Sequence, residues 1–291
     1  MGVIELVSPD GCSRAAVSAF GARVLSWHCR GRERIFVPEA LAADERAAPH
    51  GGIPVLHPQF GFFGPGRKHG LVRDNVWMHD GGDAHSASFR IVLGRAASDE
   101  PAHDVSLRVV LSDVALEVQL AVVNREDAAS EFTCGLHTYL RVDDIAQATL
   151  AGLESTAYID ALAGLAETPA EATPLHSPTN VDRVYVKAPA RLHIDDGHER
   201  LAIAQSGFGD TVVWNPGAEI ARCFNDLNGE EWRRFLCVEA AQIKPPVVLA
   251  PGATWRGSQR LEVCGDDSLP VEQREDLLSR HFRRVRHPHV E

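Results

Sequence analysis

The sequence predicts an all-β fold, a large antiparallel sandwich, and three observations carry that prediction. Apolar residues recur with period two rather than with a helical period, as in Ser106-Leu-Arg-Val-Val-Leu-Ser112 and Ala115-Leu-Glu-Val-Gln-Leu-Ala-Val-Val123. Gly, Pro, Asn and Asp punctuate the chain at short, irregular intervals, which supplies turns between many short strands. Long helical patterns are few, so the strand-helix alternation of a parallel sheet is missing.

Taken in order, the apolar alternation places strands at 15–18, 24–27, 88–93, 106–112 and 115–123 in the first half. In the second half it places them at 183–187, 192–194, 201–205, 211–214, 235–241, 247–249 and 255–263. The stretch 161–178, rich in Ala, Thr, Glu and Pro, reads as a long loop of the kind that rims a cleft. Near the C-terminus Val271, Leu278, Phe282 and Val285 form one apolar helical stripe after Pro270, with Arg274, Arg280, Arg283, Arg284 and Arg286 outside it. The expected organisation is therefore a β-domain over 1–265 and a short helical tail over 266–291.

Composition narrows the function. With 29 basic against 40 acidic side chains the formal net charge is −11, the reverse of what a nucleic-acid binder needs. No apolar run is long enough to span a bilayer and the N-terminal residues do not form a secretion signal, so a cytoplasmic protein without membrane contact is expected. Cys12, Cys29, Cys134, Cys223, Cys237 and Cys264 contain no Cys-x-x-Cys pair, and the 14 histidines show no metal-site spacing, so reduced thiols and no metal are expected. Dinucleotide and P-loop fingerprints are absent, as is a serine elbow, which leaves nucleotide cofactors and covalent catalysis without support.

Three segments can carry chemistry. Read as one strand, Glu131-Phe-Thr-Cys-Gly-Leu-His-Thr-Tyr-Leu-Arg141 puts Phe132, Cys134, Leu136 and Leu140 on an apolar face and Thr133, His137, Tyr139 and Arg141 on the other. That second face suits a polar cleft, or equally a solvated outer surface with an incidental histidine. In Phe235-Leu-Cys-Val-Glu-Ala-Ala241 one carboxylate stands among apolar neighbours. Burial would raise the Glu239 pKa toward that of a general base, unless the residue is a structural carboxylate bonded to an Arg or to backbone amides. The third segment, Gly51 to Pro65 followed by Lys68-His-Gly-Leu-Val-Arg73, is dense in Gly and Pro and forms a shaped loop on which binding groups can sit.

In order along the chain, these segments and three more resemble the hexose-6-phosphate mutarotase branch of the aldose 1-epimerase superfamily. The carriers are Gly21-Ala-x-Val-Leu-Ser-Trp27, Gly51-Gly-Ile-Pro54 with Pro58-Gln-Phe-Gly61, His69-Gly-x-x-Arg73, Leu136-His-Thr-Tyr139, Asp182-Arg-Val-Tyr185, Val213-Trp-Asn-Pro216 and Cys237-Val-Glu239. The resemblance implies a galactose mutarotase-like supersandwich that interconverts sugar anomers without a metal or organic cofactor, on a small-molecule sugar or sugar phosphate. It makes His137 the general acid on the ring oxygen and Glu239 the base on the anomeric hydroxyl. It assigns His69, Arg73, Asp182 and Gln59 to substrate binding, with Phe60, Trp77 and Trp214 as an apolar wall or as core. Two departures are small, Leu71-Val72 inside the third block and Val181 before Asp182. A larger one is His50, where the family usually has an arginine that the resemblance would make a phosphate ligand. Arg73, Arg23, Lys68 or Arg183 would then supply the positive field, or the substrate is an unphosphorylated aldose, or the chain binds sugar without turning it over. The sequence assigns no oligomeric state.

Overall fold

The computed structural model describes residues 2–44, 46, 48–94 and 101–265. The helix expected within 266–291 lies outside the described residues. All-β architecture is what folds: three sheets of four, eight and nine strands, with every strand pair antiparallel. The two α-helices among the described residues, Glu39–Ala43 and Gly217–Ala221, are five residues each and too short to leave a periodic signal.

The nine-stranded sheet contains the strands with the cleanest alternation. In Ala115–Asn124 the side chains of Leu116, Val118, Leu120 and Val122 are buried, and Gln119 is exposed between them. Its partner Thr254–Val263 runs beside it from Thr254 opposite Val123 to Glu262 opposite Ala115. Period-two alternation of this kind is legible because one face meets the core and the other meets water.

The eight-stranded sheet is ordered Ala166–Thr168, Tyr158–Asp160, Val181–Tyr185, Asp210–Asn215, Phe235–Leu249, Ser130–Leu136 and Val55–Leu56, with Tyr139–Arg141 also paired to Phe235–Leu249. Its inner face joins the nine-stranded sheet in one core that includes Leu136, Val213, Leu236, Val238 and Ala240 with Val105, Leu107, Leu120 and Leu261. Each such Val or Leu side chain contributes about 1.5–3 kcal/mol by leaving water. The other face of Phe235–Leu249 is covered as well, so residues 235–241 are buried without a break. A strand covered on both faces loses its polar alternation, which is why Glu239 stands out among apolar neighbours.

The structure divides the segment expected to be one strand over 131–141. Ser130–Leu136 ends before His137, Tyr139–Arg141 begins after Thr138, and the ladder shifts register between Phe132 and Cys134. The cause is the glycine-rich loop, which takes the backbone hydrogen bonds at the break: His137 N–H donates to Pro54 O at 2.9 Å and Tyr139 N–H to Gly52 O at 3.1 Å. Gly52 adopts φ 72°, and a Cβ there would stand 2.5 Å from Val24 O, so only glycine brings the loop this close. Alternation therefore fails across the break, and Thr133, His137 and Tyr139 are buried while Arg141 is exposed.

Candidate active site

Strand register brings the polar residues of the eight-stranded sheet together on its outer face. Val212 stands opposite Glu239, and Trp214 stands between Cys237 on one side and Asp182 on the other. On the same face a cleft of about 450 Å³ opens, lined by Glu239, His137, Asp182, Trp214, His69 and Lys68 among others. That volume is of the size that holds a small polar ligand. The long 161–178 stretch does border it, through Ala161, Leu162 and Leu165, although it also contains the short strands Ala166–Thr168 and Leu175–His176. A hollow of about 560 Å³ lies on the outer face of the nine-stranded sheet, but of its charged residues Asp80, Arg108 and Arg256 are exposed and Glu117 is half-buried, so no buried titratable group opens into it.

At the cleft floor His137 Nδ1 stands 3.4 Å from Glu239 Oε1, with the imidazole 8% and the glutamate 2% exposed. The two are within ion-pair reach without forming a hydrogen bond, and His137 Nδ1 and Glu239 Oε2 have no partner among the described residues. Burial pushes the Glu239 carboxyl well above its ordinary range, helped by the Asp182 charge. Burial also pushes His137 well below its ordinary value, helped by His69, His50, Arg73 and Arg23. Both shifts favour neutral partners, a carboxylic acid beside an imidazole. The ring is fixed by its neighbours: it stacks on Tyr139 with centroids 4.6 Å apart and meets Trp214 edge-on at 5.8 Å.

Around this pair the other expected residues divide. His69 lines the cleft in a left-handed backbone conformation, φ 63°, with its ring 5.7 Å from that of His137. Its Nδ1 accepts the Gly61 N–H at 3.3 Å, which leaves Nε2 as the donor of the neutral ring. Burial, with Arg73, Lys68 and His50 nearby, lowers its pKa to about 3, so it presents a neutral N–H. Asp182 lines the cleft too, and burial raises its pKa while Lys68 opposes the rise.

Gln59 does not line the cleft, contrary to the sequence expectation. Its amide braces the loop instead, donating to Gly61 O at 3.0 Å and Gly66 O at 3.1 Å and accepting from Gly66 N–H at 2.7 Å. Arg73 does not reach the cleft wall either. In its largely buried guanidinium Nε lies 3.8 Å from Asp74 Oδ1, too far for a hydrogen bond, and it acts on His69 and His137 through its charge. Phe60 and Trp214 do form cleft wall, whereas Trp77 is core, 1% exposed and bonded through its indole N–H to Val72 O.

One residue beside the cleft, Asp226, left no signal in the sequence, and it is the partner of His50. His50 donates its backbone N–H to Asp226 Oδ2 at 3.1 Å, and its Nδ1 lies 2.8 Å from Asp226 Oδ1. Its ring stacks on Trp214 and tilts against Phe224. Burial pushes the Asp226 carboxyl up, and the His50 hydrogen bonds outweigh it, so the carboxylate sits below its ordinary value. Asp226 stands in a short polar run that reads as a turn, and only folding shows its partner. The donor atoms of His137, Cys237 and Glu239 lie within 4.8 Å of one another. Burial, helped by the Glu239 and Asp182 charges, pushes the Cys237 thiol well above its ordinary value, so it stands beside the pair as a protonated thiol.

Residues 3–262 match the family model for aldose 1-epimerase. The chain belongs to the aldose 1-epimerase family. It is thus an epimerase, an enzyme that interconverts the anomers of an aldose. Among its curated relatives in that family, a Cenchrus ciliaris protein with the provisional name glucose-6-phosphate 1-epimerase is 31% identical over 261 residues, 84% of this chain and 79% of its own. An Escherichia coli (strain K12) protein of the same provisional name is 26% identical over 240 residues, 78% of this chain and 79% of its own. The crystal structure of a provisionally named mutarotase from Salmonella typhimurium covers 90% of both chains with a TM-score of 0.79 at 23% identity, a likeness of fold that bears out the supersandwich. Among the described residues no helix is long and apolar enough to cross a membrane.

Proposed function

We propose that this aldose epimerase interconverts the α and β anomers of a hexose 6-phosphate, with His137 and Glu239 as its acid and base. The observation that carries the reading is the 3.4 Å contact between their facing atoms at the cleft floor, with hydrogen-bonding capacity left open. In ring opening the Glu239 carboxylate takes the proton of the anomeric hydroxyl, the freed electron pair forms the C1–O1 double bond, and the C1–O5 bond breaks as O5 takes a proton from the His137 imidazolium. Rotation about C1–C2 exposes the other carbonyl face, and closure returns both protons in the opposite sense. The pair needs one shared proton throughout. Imidazolium with carboxylate and imidazole with carboxylic acid are two arrangements of that proton, the first suited to opening and the second to closing. His69 Nε2–H and Asp182 hold sugar hydroxyls, one as donor and the other as acceptor.

The phosphate meets Lys68 in this reading. Arg23 donates to Ala48 O and Pro49 O, Arg183 pairs with Glu171 at 3.1 Å while lying over the Tyr158 ring, and Arg73 stands back from the wall. Lys68 lines the cleft beside the exposed Phe62 ring, 4.9 Å from its centroid, where a dianion can reach it. The His50–Asp226 contact favours a second reading, an unphosphorylated aldose, because the carboxylate offsets any charge the imidazole carries where the family usually has an arginine. Cytoplasmic residence is part of the proposal, supported by six cysteines that are all free thiols.

Exchange between anomers, followed by NMR for glucose 6-phosphate and for glucose, tests this. Acceleration of the phosphorylated sugar, cut roughly 10²–10⁴-fold in both His137→Ala and Glu239→Gln, is the expected result. Acceleration of glucose alone moves the substrate to the unphosphorylated class, and full activity in both variants removes the pair from the mechanism.

A further inference from the structure

Gln259 is a polar residue in an apolar place. It sits on Thr254–Val263 in the nine-stranded sheet, on the inward face it shares with Leu261 and Val263, and is 2% exposed. A buried amide is costly unless its donors and acceptor are matched, so what it bonds to explains its presence. Its side chain crosses the sandwich to the eight-stranded sheet. Nε2–H donates to Val238 O at 2.9 Å, and Oε1 accepts from the Thr138 hydroxyl. Thr138 is fully buried, and its own carbonyl accepts the Val238 N–H at 3.1 Å.

Thr138 follows His137 in the chain and Val238 precedes Glu239. One amide therefore clips together the two backbone points from which the imidazole and the carboxylate project. It does so where the strand is interrupted, between the end of Ser130–Leu136 and the start of Tyr139–Arg141. At the break the backbone is held by loop bonds to Pro54 O and Gly52 O and by the Val238 N–H rather than by a continuous ladder, and the 3.4 Å spacing of the pair depends on that backbone. Methionine would fill the same volume and satisfy neither partner.

We propose that Gln259 is a positioning residue for the His137–Glu239 pair, setting its spacing from the opposite sheet without touching substrate. This rests on the reading of that pair as acid and base. Gln259→Met is expected to lower kcat for anomer exchange roughly 10–100-fold, since misplacement of about 1 Å has that effect, with KM changed less than about two-fold. The pH profile of kcat should shift with it, because the pair's shared proton depends on its separation. Thr138→Val, which removes one of the two bonds, should give a smaller fall in kcat, and Thr138→Ser should restore it. Losses in the Gln259→Met and Thr138→Val double variant should be no greater than in Gln259→Met alone.

Lower thermal stability with kcat per folded molecule and pH profile unchanged would make Gln259 a packing residue and overturn the proposal. If Gln259→Met does not fold, the Thr138→Val and Thr138→Ser comparison decides on the same readouts. Should His137→Ala and Glu239→Gln retain exchange, the acid-base reading itself falls. If they abolish exchange and the Gln259 and Thr138 variants keep kcat, the clip alone is wrong.

Discussion

His137 and His103 are both buried imidazoles whose pKa burial depresses, and they part at the hydrogen bond. In the sandwich interior His57 Nε2 lies 2.9 Å from His103 Nδ1, and His103 Nε2 lies 2.9 Å from Ser130 Oγ. Phe132 packs edge-on against both rings, and neither ring lines the cleft that holds Glu239. Both nitrogens of His103 are matched, while at the end of the chain His57 Nδ1 has no hydrogen-bond partner among the described residues, and the three groups join the Val55–Leu56 end of one sheet to His103–Leu111 of the other. At the cleft floor the facing atoms of His137 and Glu239 approach without bonding. Burial alone thus says little about role. Unmatched polar capacity that opens into a cavity marks chemistry, and matched capacity in the interior marks structure.

The contrast can be broken at its catalytic end first. If His137 and Glu239 act as one unit, the double variant His137→Ala with Glu239→Gln should lose no more than about tenfold beyond the worse single variant, measured by NMR exchange. Multiplied losses would mean that two independent groups share the cleft. At the structural end, His103→Leu leaves the Ser130 hydroxyl and His57 unpaired and should cost about 1–3 kcal/mol in urea unfolding, with exchange per folded molecule kept. Lost exchange at full stability would erase the distinction between the pairs.

The same variant carries a pH signature. His103 titrates at about 4 in the folded protein against 6.5 in the unfolded chain, burial being the larger cause. The unfolded state therefore binds a proton that the folded state does not, and stability falls as pH drops through that window. His103→Leu should flatten the slope by about 1.4 kcal/mol per pH unit between pH 6.5 and 4. An unchanged slope would show that this imidazole is already charged when folded. The smallest effect belongs to the rim: Lys68→Met should raise KM for glucose 6-phosphate by roughly tenfold, as expected for one charge-assisted contact, with a much smaller change for glucose. Equal changes for both sugars would separate Lys68 from the phosphate.

How much of this was legible depends on what each residue's surroundings are made of. Six strands of the nine-stranded sheet, Ser86–Val92, His103–Leu111, Ala115–Asn124, Arg191–Asp195, Arg200–Ser206 and Thr254–Val263, alternate between water and core and have bounds readable to within a few residues, whereas Met78–Asp83 is exposed throughout and left no such signal. Strands such as Val55–Leu56, Tyr158–Asp160 and Ala166–Thr168 are too short to show a period and were missed. His137, His69, Asp182 and Glu239 were found and do converge. Gln59 and Arg73 stand in matching motifs, yet they turn into the loop and behind it, because a motif orders residues along a chain without directing side chains in an irregular loop.

The sequence by itself determined the sheet architecture, through apolar alternation and turn residues, and a carboxylate surrounded by apolar neighbours at 239. Those are local patterns, set by which side chains tolerate water. Tertiary structure alone decided the break that seats His137, the 3.4 Å contact with Glu239, the pairing of His50 with Asp226 and the reach of Gln259 across the sandwich. Each of these is a distance between residues far apart in the chain, and such distances follow from strand register and sheet packing rather than from any local pattern.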